Sequence, residues 1–304
     1  MPELVSVVIP CYNHAHFLAE AIESALCQTY LCSEIVVVDD GSTDHTAEVV
    51  KEYPGVRYVP QQRQGLSAAR NTGLKACHGE YVVFLDADDR LLPNHFEISR
   101  RAIRARPDTA LVCGDFRLFG SEEQWHTHCC EPDHYASLLK CNFIGAVHCA
   151  MFRRDIALAL GGFSPHLQAC EDYEFYFRIA RTHPIYCHHQ LVAEYRRHAS
   201  QLSRRWDVML ASALSVLRAE WPHVRGRHDY VQAYRDGVKR FQTTYGDPLL
   251  WQTVMVARQR QWSLVFKYLR IILAFYPGGL AVLLRQKLSR CWSQRARSLG
   301  LPRL

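Results

Sequence analysis

Several features that quickly assign a sequence to a class of protein are missing from this one. The twelve cysteines form no CxxC pair and are scattered through apolar segments, so we expect reduced, buried thiols. The first residues, MPELVSVVIP, contain no basic region and no apolar stretch of about 15 residues, unlike a secretory signal. We therefore expect a cytoplasmic protein.

Acidic residues are missing from the last part of the chain. Ten of the 36 Lys and Arg residues lie in residues 251–304, but none of the 30 Asp and Glu residues does. The first 250 residues therefore hold 26 basic and 30 acidic groups. The two parts differ in the sign of their charge, and the basic part needs its own explanation.

An uninterrupted apolar run of about 20 residues, long enough to span a bilayer, is also missing. The stretch from Trp262 to Leu284 is strongly apolar, but Lys267, Arg270 and the Pro-Gly-Gly sequence at 277–279 interrupt it. Its aromatic and basic residues favour a segment that lies on an anionic membrane surface. The alternative is a helical hairpin that packs on the rest of the protein or on a second subunit.

The first half of the chain alternates between short apolar runs and segments of helical periodicity. Strands are predicted at residues 4–9, 34–39, 56–60, 80–86, 110–116 and 145–152, and helices at 65–77 and 171–182. Ser42 or Thr43 is placed to cap the helix after the second strand. The alternation predicts an α/β fold with a mostly parallel sheet flanked by helices. A domain boundary is expected near residue 205, with a helical, basic region at 206–304.

Carboxylates stand at the ends of the predicted strands. Asp39 and Asp40 close the second strand, and Asp86, Asp88 and Asp89 follow the apolar run YVVFL. Because parallel strands bring their carboxyl ends to one edge, we expect these acids near one another in a ligand or metal site. The alternative is a polar turn that caps the next helix.

Six sequence blocks occur in a fixed order: VSVVIPCYN, VVVDDGSTD, GLSAARNTG, FLDADD, GGF and CEDYEFYFR. Together they resemble the family 2 glycosyltransferases of the GT-A fold, over residues 4–205. The resemblance implies a GT-A (Rossmann-like) domain that moves one sugar from a nucleotide-diphosphate sugar to an acceptor hydroxyl, with inversion at the anomeric carbon. It also implies Mg²⁺ or Mn²⁺ as cofactor.

The resemblance implies roles for residues on the donor side. Pro10, Tyr12 and Asn13 would line the nucleotide pocket, and Asp39 would accept a hydrogen bond from the base. Arg70 would lie near the diphosphate or brace the acids. The residues alone leave other interpretations open: Tyr12 packs, Asn13 caps the first helix, or Arg70 pairs with an acid.

The resemblance also implies the metal ligands and the base. Asp86 and Asp88 would be the DxD pair, with Asp88 the direct metal ligand, and Asp172 would deprotonate the acceptor hydroxyl. His198, in EYRRHASQLSR, would complete the metal shell or is a surface histidine in a basic strand. From the residues alone, Glu171 is interpreted as an acid in the first turn of its helix, favoured there by the helix dipole. Asp40 and Asp89 are expected to be supporting residues.

One departure from the resemblance bears on the product. The processive motif QxxRW is not matched, because QLSRRW places Arg205 and Trp206 one residue too late, so transfer of a single sugar is expected.

The expected partners are a saccharide or lipid-linked acceptor and an anionic membrane, without nucleic acid, and the C-terminal helices offer a route to oligomers. A role in cell-surface polysaccharide or glycolipid assembly is expected. The alternatives are a catalytically silent scaffold or a receiver-like phosphoacceptor module.

Overall fold

The computed structural model describes residues 4–30, 34–120, 124–126, 132–198 and 201–281. Two compact units divide the chain, one ending at Gln201 and the other beginning at Leu202. The domain boundary near residue 205 stays a prediction. The eight cysteines among the described residues are free thiols.

The first part of the first unit alternates strand and helix, as the apolar runs predict. Its elements are β1 (Val5–Cys11), α1 (Ala15–Leu26), β2 (Glu34–Asp39), α2 (Thr46–Lys51), β3 (Val56–Pro60), α3 (Leu66–Ala76) and β4 (Tyr81–Phe84). The strands are parallel and lie in the order β3-β2-β1-β4. β1 and β4 are buried along their whole length, which is why their sequences are almost entirely apolar.

The second part of this unit makes the sheet mixed. It contributes β5 (Arg90–Leu91), α4 (His95–Arg104), β6 (Leu111–Gly120), β7 (Gln124–His126), α5 (His134–Lys140), β8 (Ala150–Arg153), α6 (Arg154–Ala159), α7 (Glu171–Ala180) and β9 (Ile185–Arg197). The sheet continues from β4 through β8, β6 and β9 to β5, and β7 pairs with β6. β8 is antiparallel to both neighbours, whereas β6 and β9 are parallel. The predicted α/β class with flanking helices is confirmed, and its parallel pairs are those of the first part together with β6 and β9.

The strand predicted at residues 145–152 is wrong in its first half. Gly145 has a φ of +73°, and residues Val147–Cys149 form a 3-10 helix before β8 begins at Ala150. A left-handed glycine turns the chain out of the extended conformation. This turn buries His148 completely, next to the acids after β4.

The second unit is helical where the structure describes it, as predicted for the region that follows residue 205. Its helices are α8 (Trp206–Val224), α9 (His228–Phe241), α10 (Asp247–Arg258) and α11 (Trp262–Phe275). Leu210, Leu217, Leu249 and Ile272 are buried in this unit. Among the described residues, no helix is both long and apolar enough to cross a bilayer.

Candidate active site

The acids after β4 differ in burial. The side chains of Asp86 and Asp88 are partly exposed, whereas Asp89 is buried. Asp89 accepts a hydrogen bond from the backbone N–H of Arg196 at 2.7 Å and lies 3.1 Å from Nδ1 of His148. Burial, followed by the charges of Asp88 and Asp86, raises the pKa of Asp89 well above its usual range. Asp89 therefore ties β9 to the acidic turn, in agreement with the supporting role expected from the sequence.

His198 and Asp88 meet at this edge of the sheet. Nε2 of His198 lies 2.8 Å from Oδ2 of Asp88, and each side chain is 15% exposed. β9 carries His198 to this position, and the side chain of Gln201 accepts its backbone N–H at 3.2 Å. The guanidinium of Arg196 donates to the backbone carbonyl of Asp88 at 2.8 Å. His198 is thus part of the acidic edge and not an isolated surface histidine.

The donor atoms at this edge fit a divalent cation. Asp86, Asp89 and His148 each offer one donor atom, and these atoms lie within 4.8 Å of one another. Nε2 of His148 is buried and has no hydrogen-bond partner among the described residues, and burial lowers the pKa of the ring to about 4. Carboxylate oxygens suit Mg²⁺ and Mn²⁺, and an imidazole nitrogen is a donor to transition metals. The ligand set of Asp86, Asp88 and His198 stays a prediction, and His148, which offers a donor atom close to those of Asp86 and Asp89, was not predicted from the sequence.

Arg70 joins the acidic turn to the start of α7. Its guanidinium donates to Oδ1 of Asp86 at 2.6 Å and to Oε1 of Glu171, and its side chain is 2% exposed. Burial alone would lower its pKa, but the charges of Asp86 and Glu171 raise it, so Arg70 stays charged. Arg70 therefore pairs with two acids and braces them. A contact with the donor diphosphate stays a prediction.

The sequence block GGF positions Arg70 through its neighbour Asn71. The side-chain amide of Asn71 accepts the backbone N–H of Phe163 at 2.8 Å and donates to its carbonyl at 2.7 Å. Gly162 has a φ of +68°, and a Cβ there would stand 2.2 Å from the amide oxygen of Asn71. The Phe163 ring packs edge-on against Phe84, 4.8 Å between centroids. Asn71 is not among the site residues predicted from the sequence, although RN and GGF occur in the same set of blocks.

Asp172 lies in the first turn of α7, next to Glu171. Its Oδ1 accepts the backbone N–H of Tyr173 at 2.7 Å, and Nδ2 of Asn142 lies 3.4 Å from its Oδ2. Burial, followed by the charge of Glu171, raises the pKa of Asp172 to about 7. A carboxyl group with this pKa can accept a proton near neutral pH and can therefore serve as a general base.

Asp39 is fixed at the end of β2. It is buried and accepts hydrogen bonds from the hydroxyl of Tyr58 at 2.5 Å and from the backbone N–H of Ser42 at 2.8 Å. Burial and this hydrogen bond to Asp39 raise the pKa of Tyr58. Each carboxylate oxygen retains acceptor capacity, so the predicted contact with a nucleotide base is compatible with these bonds.

Asn13 does not cap the first helix. Its φ is +55°, its backbone N–H donates to Oγ of Ser42 at 2.9 Å, and its Oδ1 accepts the backbone N–H of Thr43 at 2.8 Å. Asn13 therefore connects the end of β1 to the loop after β2 by hydrogen bonds.

Pro10 is buried inside β1. The guanidinium of Arg63 lies over the ring of Tyr12, 4.0 Å from the centroid of that ring. Arg63 was missed in the sequence analysis.

The helix caps at this edge come from Asp44. Its carboxylate accepts the backbone N–H of Ala15 in α1 at 3.0 Å and that of Thr46 in α2 at 3.2 Å. The prediction that Ser42 or Thr43 caps α2 is wrong, because both are engaged with Asn13. Each helix N-terminus carries a partial positive charge, so an anionic carboxylate stabilises the two N-termini more than a neutral hydroxyl would.

Asp40 supports the loop between β3 and α3. Its carboxylate accepts the backbone N–H groups of Gln64 and Gly65 at 2.8 and 2.7 Å and the side chain of Gln61 at 2.7 Å. The expected supporting role agrees with these three bonds. The same loop carries Arg63 to Tyr12.

This mixed sheet, with acids gathered at the carboxyl edge of its parallel strands, has the architecture of a GT-A-type glycosyltransferase. The family model described as "Glycosyl transferase family 2" matches residues 6–161, slightly more than half of the chain. The chain belongs to glycosyl transferase family 2. This membership overturns the receiver-like alternative.

Individual relatives and solved structures are also similar to this chain. An uncharacterized glycosyltransferase of Rickettsia prowazekii is 32% identical over 209 residues, which are 65% of each protein. The chain thus spans less than two thirds of that relative. Staphylococcus aureus TarS, in complex with UDP-GlcNAc, has a TM-score of 0.59 at 17% identity over 90% of this chain and 92% of the TarS chain. A Pyrobaculum calidifontis mannosyltransferase, with GDP-Man and Mn²⁺, has a TM-score of 0.57 at 19% identity over 90% and 87%.

Proposed function

We propose that the protein is an inverting glycosyltransferase that moves one hexosyl or related sugar from a nucleotide-diphosphate sugar to an acceptor hydroxyl. The observation that carries the proposal is the buried Arg70, which contacts both Asp86 and Glu171. Arg70 thereby links the acids of the donor side to the helix turn that carries Asp172. Family membership and the donors bound by structurally similar proteins support the same donor class.

The residues at the sheet edge divide the reaction between them. Tyr12, Asn13 and Asp39 hold the nucleoside, while Asp88 and His198 face the diphosphate. A divalent cation, when bound, neutralises the charge that develops on the leaving diphosphate. The fixed carboxylates provide its binding site before the donor arrives.

Asp172 performs the proton transfer. Its carboxylate takes the proton of the acceptor hydroxyl, whose oxygen forms a bond to the anomeric carbon. The bond between this carbon and the phosphate oxygen breaks, and the nucleoside diphosphate leaves with the bonding electrons. Attack from the face opposite the leaving group inverts the configuration. The proton remains on Asp172 until solvent removes it.

The proposal includes the setting of the reaction. We place the enzyme in the cytoplasm, with a saccharide or lipid-linked acceptor, peripheral contact with an anionic membrane, and a role in cell-surface polysaccharide or glycolipid assembly. The shifted QLSRRW sequence supports transfer of a single sugar.

The test is calorimetric titration of UDP and GDP with Mn²⁺, Mg²⁺ or EDTA, followed by a nucleotide-release assay with a panel of nucleotide sugars. We expect cation-dependent binding, sugar transfer, and loss of both in Asp88→Asn without loss of fold. Equal binding by Asp88→Asn would contradict its role as metal ligand. Cation-dependent binding without transfer or donor hydrolysis would identify a silent scaffold.

A further inference from the structure

Helix α11 carries two apolar stripes, and its own unit buries one of them. Val265, Tyr268 and Ile272 are buried. Trp262, Phe266 and Leu273 are 57%, 70% and 58% exposed. With the half-buried Leu269, these three residues follow one another at intervals of four, three and four positions, which places them on one side of the helix. We call Trp262, Phe266, Leu269 and Leu273 the α11 stripe.

Exposed positive charge accompanies the α11 stripe. Arg270 is exposed and stands four residues after Phe266 and three before Leu273, so it borders the stripe. On α10, exposed Arg258 follows Met255, which is 51% exposed. Lys267, in contrast, is engaged with Asp207 of the same unit at 2.6 Å. From Pro248 to the end of the sequence there is no Asp or Glu that would offset this charge.

We infer that the α11 stripe docks on an anionic membrane surface. An aromatic and aliphatic stripe bordered by arginine is the composition of a helix that lies in the headgroup region, with its apolar side in the acyl boundary. The inference rests on the proposed peripheral location but not on the proposed catalysis.

The charges beside the α11 stripe argue against two other occupants, a second copy of the protein and residues 282–304 of the same chain. A second copy docked symmetrically brings Arg270 and Arg258 toward their own equivalents, and like charges in an interface oppose association. Residues 282–304 of the same chain carry six further basic residues and no acid, so covering the stripe with them also adds like charge. An anionic bilayer instead attracts every one of these groups.

The test is co-sedimentation of the full chain with vesicles of phosphatidylcholine alone or with 30% phosphatidylglycerol, roughly the anionic content of a cytoplasmic leaflet, at low and high salt. Donor and metal are left out. We expect binding to the anionic vesicles that weakens as salt rises. Phe266→Glu/Leu273→Glu should weaken binding at least about tenfold, because two apolar side chains lose their burial. Arg258→Gln and Arg270→Gln should each weaken it roughly fivefold.

The control is Leu26→Glu, which places a single glutamate at a leucine that is 53% exposed on α1. It should bind vesicles as the parent protein does, and so should Asp172→Asn. Thermal unfolding of each variant shows that the fold is retained. The inference would be overturned if the Phe266→Glu/Leu273→Glu variant bound vesicles as the parent protein does, or if the parent protein bound neutral and anionic vesicles equally. It would also be overturned if the parent protein bound no vesicles and formed a dimer that this variant dissociates. Vesicle binding by an inactive protein would leave it intact, so its failure and that of the proposed function are distinguishable.

Discussion

Nε2 of His198 lies 2.8 Å from Oδ2 of Asp88, although 110 positions separate the two residues in the sequence. The contact exists because β9 runs back along the sheet and Arg196 donates hydrogen bonds to the backbone carbonyl of Asp88 and to the carboxylate of Asp89. The histidine therefore approaches the predicted metal ligand from a separate chain segment. Mg²⁺ prefers oxygen ligands alone, so an imidazole nitrogen added to the carboxylates favours Mn²⁺ over Mg²⁺.

We expect His198→Ala to weaken Mn²⁺-dependent binding of a nucleoside diphosphate at least about tenfold, because a donor of the metal site is lost. Calorimetry with Mn²⁺ and with EDTA measures the change. His228→Ala, at a fully exposed histidine of the second unit, is the control and should bind as the parent does. A His198→Ala protein with unchanged cation dependence would show that His198 only packs beside Asp88.

Replacement of the base tests the chemistry separately from donor binding. We expect Asp172→Asn to keep donor affinity but to lose sugar transfer by roughly 10²-fold or more, because the amide cannot accept the proton. The measurement is kcat with saturating donor and acceptor. Asp155→Asn is a matched control, since Asp155 also lies in the first turn of a helix and accepts the next backbone N–H, at 2.8 Å. Equal losses in both variants would mean that only helix-start geometry was disturbed.

The pH dependence of transfer should follow Asp172. Its pKa is about 7 and its base form is the carboxylate, so kcat should rise with pH, reach half its maximum near pH 7 and then level off. The pKa is raised relative to the unfolded chain, so the contribution of Asp172 to the free energy of unfolding is greatest below about pH 4, where the carboxyl group is protonated in both states. This contribution is lost as the pH rises through 7. A kcat profile measured from pH 5.5 to 9 with saturating donor tests the first effect. A flat profile between pH 6 and 8 would assign the proton transfer to another group.

The sequence predicts the position of the acidic edge because local patterns define it. Unbroken apolar runs place β2 and β4 in the core, so the acids that follow them must emerge at the carboxyl ends of parallel strands. The block resemblance predicts Arg70 and Asp172 as site residues, and their assigned roles remain predictions. The pairing of Arg70 with an acid was one of the alternatives and is observed.

Contacts between distant segments are what the sequence could not supply. The caps of α1 and α2 both come from Asp44, which no local capping pattern of α1 contains. His148 reaches Asp89 because Gly145 has a left-handed conformation and a 3-10 helix follows it, in a run that local periodicity predicts as a strand. Periodicity describes one segment at a time, whereas these bonds depend on how segments are placed in space.

The double ion pair of Arg70 predicts a large stability effect. We expect Arg70→Met to lower the free energy of unfolding by about 3–5 kcal/mol at pH 8, because Glu171 is left buried without its partner and Asp86 loses its compensating charge. Urea denaturation followed by circular dichroism measures the change.

Arg57→Met is the matched control for this variant. Arg57 also faces a glutamate, at 3.8 Å from Glu34, but its side chain is 50% exposed, so its loss should cost no more than about 1 kcal/mol. Because burial and not the mere presence of an ion pair sets the expected difference, similar losses in the two variants would contradict the bracing role of Arg70. Arg70→Lys should recover part of the stability, because an ammonium group keeps the charge but cannot donate to Asp86 and Glu171 in the planar geometry of a guanidinium.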